Sequence, residues 1–114
     1  MYKRQKVTCV LDCGLAVNPD IVRAQMEGGV IYGLTAALYG GLNLERGAIK
    51  ESNFHDYPML RMNESPEIEV TIIDSGTKPT GVGEPGLPPI APAVANAVYK
   101  ATGQRLRSLP LQLA

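Results

Sequence analysis

Glu84 stands in the stretch Gly81-Val82-Gly83-Glu84-Pro85-Gly86, with glycines before it and a proline after it. Gly81 and Gly83 permit φ values closed to other residues and leave space beside the acid, while Pro85 fixes the backbone that follows. A carboxylate mounted in this way just ahead of a helix start has the form of a general base. The same residues also suit a solvated surface turn, and the six residues alone do not choose between the two.

A second group with chemical capacity is Gln25, an amide with two donors and an acceptor on a helix whose other residues are mostly apolar. Such an amide needs partners, either neighbouring backbone or a ligand. Just beyond it, Gly28 and Gly29 fall in mid-helix, where each costs about 1 kcal/mol relative to Ala. Close backbone approach by another element or by a ligand is the usual compensation. His55 is the only histidine and has no carboxylate at metal-binding helical spacing, so it reads as a structural side chain. Cys9 and Cys13 share one extended segment. At about 3.3 Å per residue their Cα atoms lie too far apart to bridge, so both read as small buried apolar groups. No phosphate-binding loop, nucleophile elbow or dinucleotide fingerprint occurs.

The elements that must position these groups follow from the pattern. Residues 6–13, KVTCVLDC, form a β-branched, apolar run ending at Gly14, as a buried strand does. Asn18, Pro19 and Asp20 supply an N-cap, a first helical residue and a favourable charge for a helix from Pro19 to Tyr39, closed by Gly40 and Gly41. Its apolar residues cover nearly every side after Glu27, so it demands more burial than this chain supplies. Residues 42–54 suggest two short strands around a turn at Arg46 and Gly47, with Asp56 as a capping residue and Tyr57–Pro58 as packing. Residues 67–74, EIEVTIID, alternate before becoming apolar and suggest another strand. A Gly- and Pro-rich loop runs from Ser75 to Pro89. A helix from Pro89 to Thr102 follows, with a stripe of Ile90, Val94, Val98 and Ala101, Lys100 in its last turn and Gly103 at its end. Residues 105–111 fit a closing strand or a tail. The order predicts an α+β fold, a mixed sheet of short strands packed with two main helices in a single domain.

Composition narrows the function. With 114 residues the chain holds one modest core. Lys plus Arg and Asp plus Glu number 11 each, so no basic face points to nucleic acid or an anionic membrane. Aromatic residues are 5% with no Trp, which disfavours base-stacking platforms. The uncharged run 28–41 is shorter than the roughly 20 residues a membrane-spanning helix needs, and no signal peptide opens the chain.

Three segments taken together resemble a known family. DCGLAVNPDIVRAQMEGGVIYGLTAALYG, SNFHDYPMLRMNESPEIEV and GVGEPGLPPIAPAVANAVYKATGQRLRSLPL are similar, in this order, to the C-terminal end of the large molybdenum-binding subunit of the xanthine dehydrogenase and aldehyde oxidase family. The wording FHDYPMLRMNESPEIEV is most similar to the isoquinoline 1-oxidoreductase β-subunit branch. The resemblance covers about residues 7–111.

It implies that Glu84 is the base beside the molybdenum and that Gln25 contacts the pyranopterin. It also implies that backbone at Val82 and Gly83 lies near the metal ligands. The implied reaction is oxidative hydroxylation of an aromatic N-heterocycle or aldehyde. The implied cofactor is molybdopterin in its cytosine dinucleotide form, with iron–sulfur clusters on a partner subunit. The family's subunit is several times longer, so the resemblance implies that residues 6–114 are the C-terminal part of a larger cofactor-binding domain, inactive without its upstream part. Met1–Gln5 is what GTG TAT AAG AGA CAG would encode from a GTG start, DNA resembling a transposase end used in library preparation, so these five residues are expected to be a non-native leader. Localisation stays open between bacterial cytoplasm and periplasm. The competing expectation is a stand-alone α+β module serving in binding or assembly.

Overall fold

The computed structural model describes residues 6–113. The expected foreign leader, Met1–Gln5, lies outside them. Strand β1 (Lys6–Asp12) pairs in parallel with β4 (Glu67–Ile73), Cys9 opposite Val70. Between them in sequence come helix α1 (Pro19–Leu38), the short strands β2 (Leu44–Glu45) and β3 (Ala48–Ile49), and a 3-10 turn at Met62–Glu64. Helix α2 (Ile90–Thr102) follows.

The helix boundaries obey capping chemistry. Asn18 accepts the backbone N–H of Ile21 at 3.2 Å and Pro19 occupies the first helical position. Gly103, at φ +75°, takes the left-handed conformation that ends α2, its N–H returning to Tyr99 O. β2 and β3 form an antiparallel hairpin, and both of its turn residues, Arg46 (φ 52°) and Gly47 (φ 84°), have the positive φ that a tight two-residue hairpin requires.

The α+β class holds, but the strands divide into two separate two-stranded sheets rather than one mixed sheet. β1 is also not a buried strand. Its helices cover one side only, so Val7, Cys9 and Leu11 turn inward while Val10 remains 61% exposed. Cys13 is buried and Cys9 partly so, both unpaired thiols. Residues 105–111 form no strand; the segment is pinned at its end by Leu111 N–H donating to Ala37 O at 2.7 Å. Ala101, assigned to the apolar stripe, is exposed at the end of α2.

The core lies between the inner face of the parallel pair and both helices. Val30, Leu34, Leu60 and Ile90 are its buried centre, with Val7, Cys9, Ile68 and Val94 packed against it. Burying such side chains contributes roughly 1.5–3 kcal/mol each. The 53–61 segment is drawn in through a polar side chain: buried Thr35 donates from Oγ1 to Ile31 O and accepts the N–H of Leu60, each at 3.2 Å. Asp56 closes the turn before it, accepting the N–H groups of Asn53 and Ser52 at 2.9 Å.

Much apolar surface stays uncovered. Leu15, Val17, Ile21, Tyr32, Leu44 and Phe54 are all exposed. The Cα radius of gyration is 16.4 Å, against about 13 Å for a compact domain of this length. Parallel strands are normally covered on both faces, and this pair is covered on one.

Candidate functional site

The loop 75–89 leaves β4 and returns across the middle of α1. Its early part is stitched to the end of β1. Asp12 accepts from Gly14 N–H at 2.9 Å and from Ser75 Oγ at 2.7 Å, and these donors hold its carboxyl below the usual carboxylate range, the Gly14 N–H more than the hydroxyl. Leu15 N–H donates to Thr77 O at 3.0 Å and Thr80 N–H to Cys13 O at 2.9 Å. Gly14, at φ +70°, sits against the Lys78 carbonyl where a Cβ has no room.

Beyond Thr80 the loop meets α1 twice. Gln25 Nε2 donates to Gly83 O at 2.7 Å. A carbonyl only accepts, so the amide end facing it is the NH2 and the Oε1 points elsewhere. One turn further along α1, Gly29 packs on buried Gly86: a Cβ at Gly29 would lie 3.3 Å from Gly86 Cα, and one at Gly86 would lie 2.9 Å from Met26 O. At Gly33, a turn beyond, a Cβ would collide with Ile90 and meet Leu87 O at 3.1 Å. Glu84 sits between the two attachments, its carbonyl accepting Leu87 N–H at 2.9 Å in a tight turn and its side chain exposed.

The structure therefore brings Gln25, Val82, Gly83 and Glu84 to one place, with a direct bond between Gln25 and Gly83. It divides the glycine pair. Gly29 is explained by the loop packed on it, whereas a Cβ at Gly28, Gly81 or Gly83 would meet no atom of the described residues within 4 Å beyond its own adjoining backbone. Gly28 lies three residues from Gln25 and shares its face of the helix. Bare backbone thus surrounds the clamp on the solvent side, on both the helix and the loop.

His55 is exposed, its Nε2 3.6 Å from an Asp56 carboxylate oxygen. Among the described residues no cluster of three or more His, Cys, Asp or Glu side chains could hold a metal ion. No helix among them is long and apolar enough to cross a membrane. An apolar groove of 320 Å³ runs from β1 to Pro85 and Gly86 along Met26 and Val30. The sequence reading missed the roles of Gly33 and Gly86. The four-residue spacing of Gly29 and Gly33 was the available signal, since it puts two bare positions on one helix face.

The overall fold recurs in solved structures. The structure of quinoline 2-oxidoreductase from Pseudomonas putida 86 matches with a TM-score of 0.76 at 21% identity, over 93% of this chain and 15% of that one. Residues 1–66 match the molybdopterin cofactor-binding domain, and the chain belongs to that family. It is 49% identical over 96% of its length to isoquinoline 1-oxidoreductase subunit beta of Brevundimonas diminuta. It is 37% identical over 96% of its length to a membrane-bound aldehyde dehydrogenase (pyrroloquinoline-quinone) of Gluconacetobacter polyoxogenes. The chain spans 14% of the length of each of these two relatives.

Proposed function

We propose that this chain is the base-bearing portion of a molybdenum hydroxylase subunit that oxidatively hydroxylates an aromatic N-heterocycle or an aldehyde. The observation that carries the reading is the joining of Gln25 to the Glu84 loop, 58 positions apart in sequence, beside glycines open to solvent. The residues fit a pterin. Gln25 Oε1 accepts no hydrogen bond from the described residues and suits a ring N–H. Gly28, Gly81 and Gly83 leave backbone free for a flat group to approach closely.

When bound, the molybdenum cofactor, in its cytosine dinucleotide form, supplies the two-electron redox chemistry, with iron–sulfur clusters on a partner subunit carrying the electrons away. This chain supplies position and a proton acceptor. Gln25 and the backbone at Val82 and Gly83 hold the edge of the cofactor site, and Glu84 takes the proton lost by the hydroxylating oxygen onto its carboxylate. A well-placed base contributes typically 10² to 10⁴ in rate.

The uncovered apolar surface and the parallel pair covered on one face favour work within a longer subunit over a stand-alone binding module. The test is to purify the chain alone and joined to an upstream polypeptide of its relatives, then assay each for molybdenum, pterin and quinone. Molybdenum and pterin bound only in the longer form are expected. A folded, cofactor-free longer form, or one holding a quinone instead, would overturn the reading.

A further inference from the structure

The stretch between Thr80 and Glu84 has little to hold it. Thr80 is fixed to Cys13, and Leu87 closes back on Glu84. Among the described residues, the Gln25 bond is the sole hydrogen bond that reaches residues 81–83. Gly81 and Gly83 touch no neighbour through a Cβ position, so no side-chain packing restrains their torsions. Gly86, in contrast, is buried against Met26 and Gly29. Glu84 is thus held on its C-terminal side by packing and on its N-terminal side by one amide.

We propose that Gln25 is the positioning residue for Glu84: its Nε2 pins the Gly83 carbonyl to the second turn of α1 and so fixes where the carboxylate stands, whether or not a cofactor is bound. The inference rests on the function proposed above for Glu84, but its geometric half does not. The donor is what matters. Gln25→Glu keeps the length and shape of the side chain while setting an acceptor against an acceptor, so the clamp is lost without a change of bulk. Because Gln25 is exposed, neither this variant nor Gln25→Ala disturbs the core.

The experiment has two parts, both in the complete subunit that carries these residues. Hydrogen–deuterium exchange of peptides spanning 80–88 is compared between the parent, Gln25→Glu and Gln25→Ala, each without and with cofactor. The clamp predicts faster exchange in the loop of both variants even without cofactor, while β1 and β4 stay unchanged. Unchanged loop exchange in the cofactor-free variants would overturn it and leave Gln25 as a cofactor contact only. Turnover is then measured for Gln25→Glu alone and combined with Glu84→Gln. Displacing a reacting group by about 1 Å costs up to about 10²-fold, so kcat is expected to fall by about that factor in the single variant with KM little changed. Since the clamp acts through Glu84, the double variant, with rates taken per bound molybdenum, is expected to be no slower than Glu84→Gln alone. Multiplying penalties would contradict the coupling. Full activity of Glu84→Gln would instead refute the role of Glu84, with the exchange result still deciding the clamp.

Discussion

Gly29 and Gly86 meet backbone to backbone: a Cβ placed on the helix residue would come within 3.3 Å of the loop residue's Cα. One residue earlier, a Cβ at Gly28 would meet nothing among the described residues beyond its own helix. Neighbouring glycines therefore differ: contact inside the chain accounts for Gly29 and not for Gly28.

The contrast is measurable. Gly28→Ala is expected to raise the stability of the cofactor-free protein by up to about 1 kcal/mol, since helix propensity improves and no contact opposes it. If the cofactor lies against this face as proposed, the same substitution is expected to lower molybdenum and pterin content, because the added methyl would occupy the space it needs. Gly33→Ala is expected to destabilise by about 1–3 kcal/mol, because its Cβ runs into Ile90 and the Leu87 carbonyl. Denaturant unfolding and metal analysis of both variants check this. A Gly28→Ala protein with full cofactor content would remove Gly28 from the site.

Thr35 provides a second test. Its hydroxyl is the acceptor for Leu60 N–H in the core. Thr35→Val preserves shape and leaves that N–H buried without a partner, at a cost of about 1–3 kcal/mol. Unfolding midpoints are the measurement. An unchanged midpoint would mean that the 53–61 segment is not held through this bond.

The pH dependence of the same segment follows from Asp56. Backbone N–H groups of Asn53 and Ser52, chiefly that of Asn53, lower its pKa to about 2. A folded-state pKa depressed below the unfolded value contributes stability that is complete above the unfolded pKa of about 3.9. That contribution fades as pH falls from there through about 2. Asp56→Asn is therefore expected to be less stable than the parent at neutral pH, with the gap narrowing through this acid window. Thermal melts at stepped pH show it; a gap that stays constant from pH 6 to pH 2 would contradict the assignment.

How far the sequence revealed this arrangement depended on whether the deciding force was local. α1 and its Asn18 cap, the Arg46–Gly47 hairpin, the end of α2 at Gly103 and the strand at 67–73 are set by capping, turn conformation and alternation, and each was legible. Partnership was not. Nothing in KVTCVLD announces that it pairs in parallel with a strand far along the chain, or that its outer face stays bare. At the site, the chemical types of Gln25 and Glu84 and the strain implied by two helical glycines were readable. That the amide would find the Gly83 carbonyl, and that Gly29 but not Gly28 would meet the loop, depends on how α1 and loop 75–89 cross, which spacing alone does not encode.

The most direct test of the central claim is the rate of anaerobic substrate oxidation in a single turnover by the complete, cofactor-loaded subunit carrying Glu84→Gln. A fall of about 10² to 10⁴-fold relative to the parent, at equal molybdenum and pterin content, is the predicted result. Oxidation at the parental rate with the cofactor fully in place would show that Glu84 is not the proton acceptor.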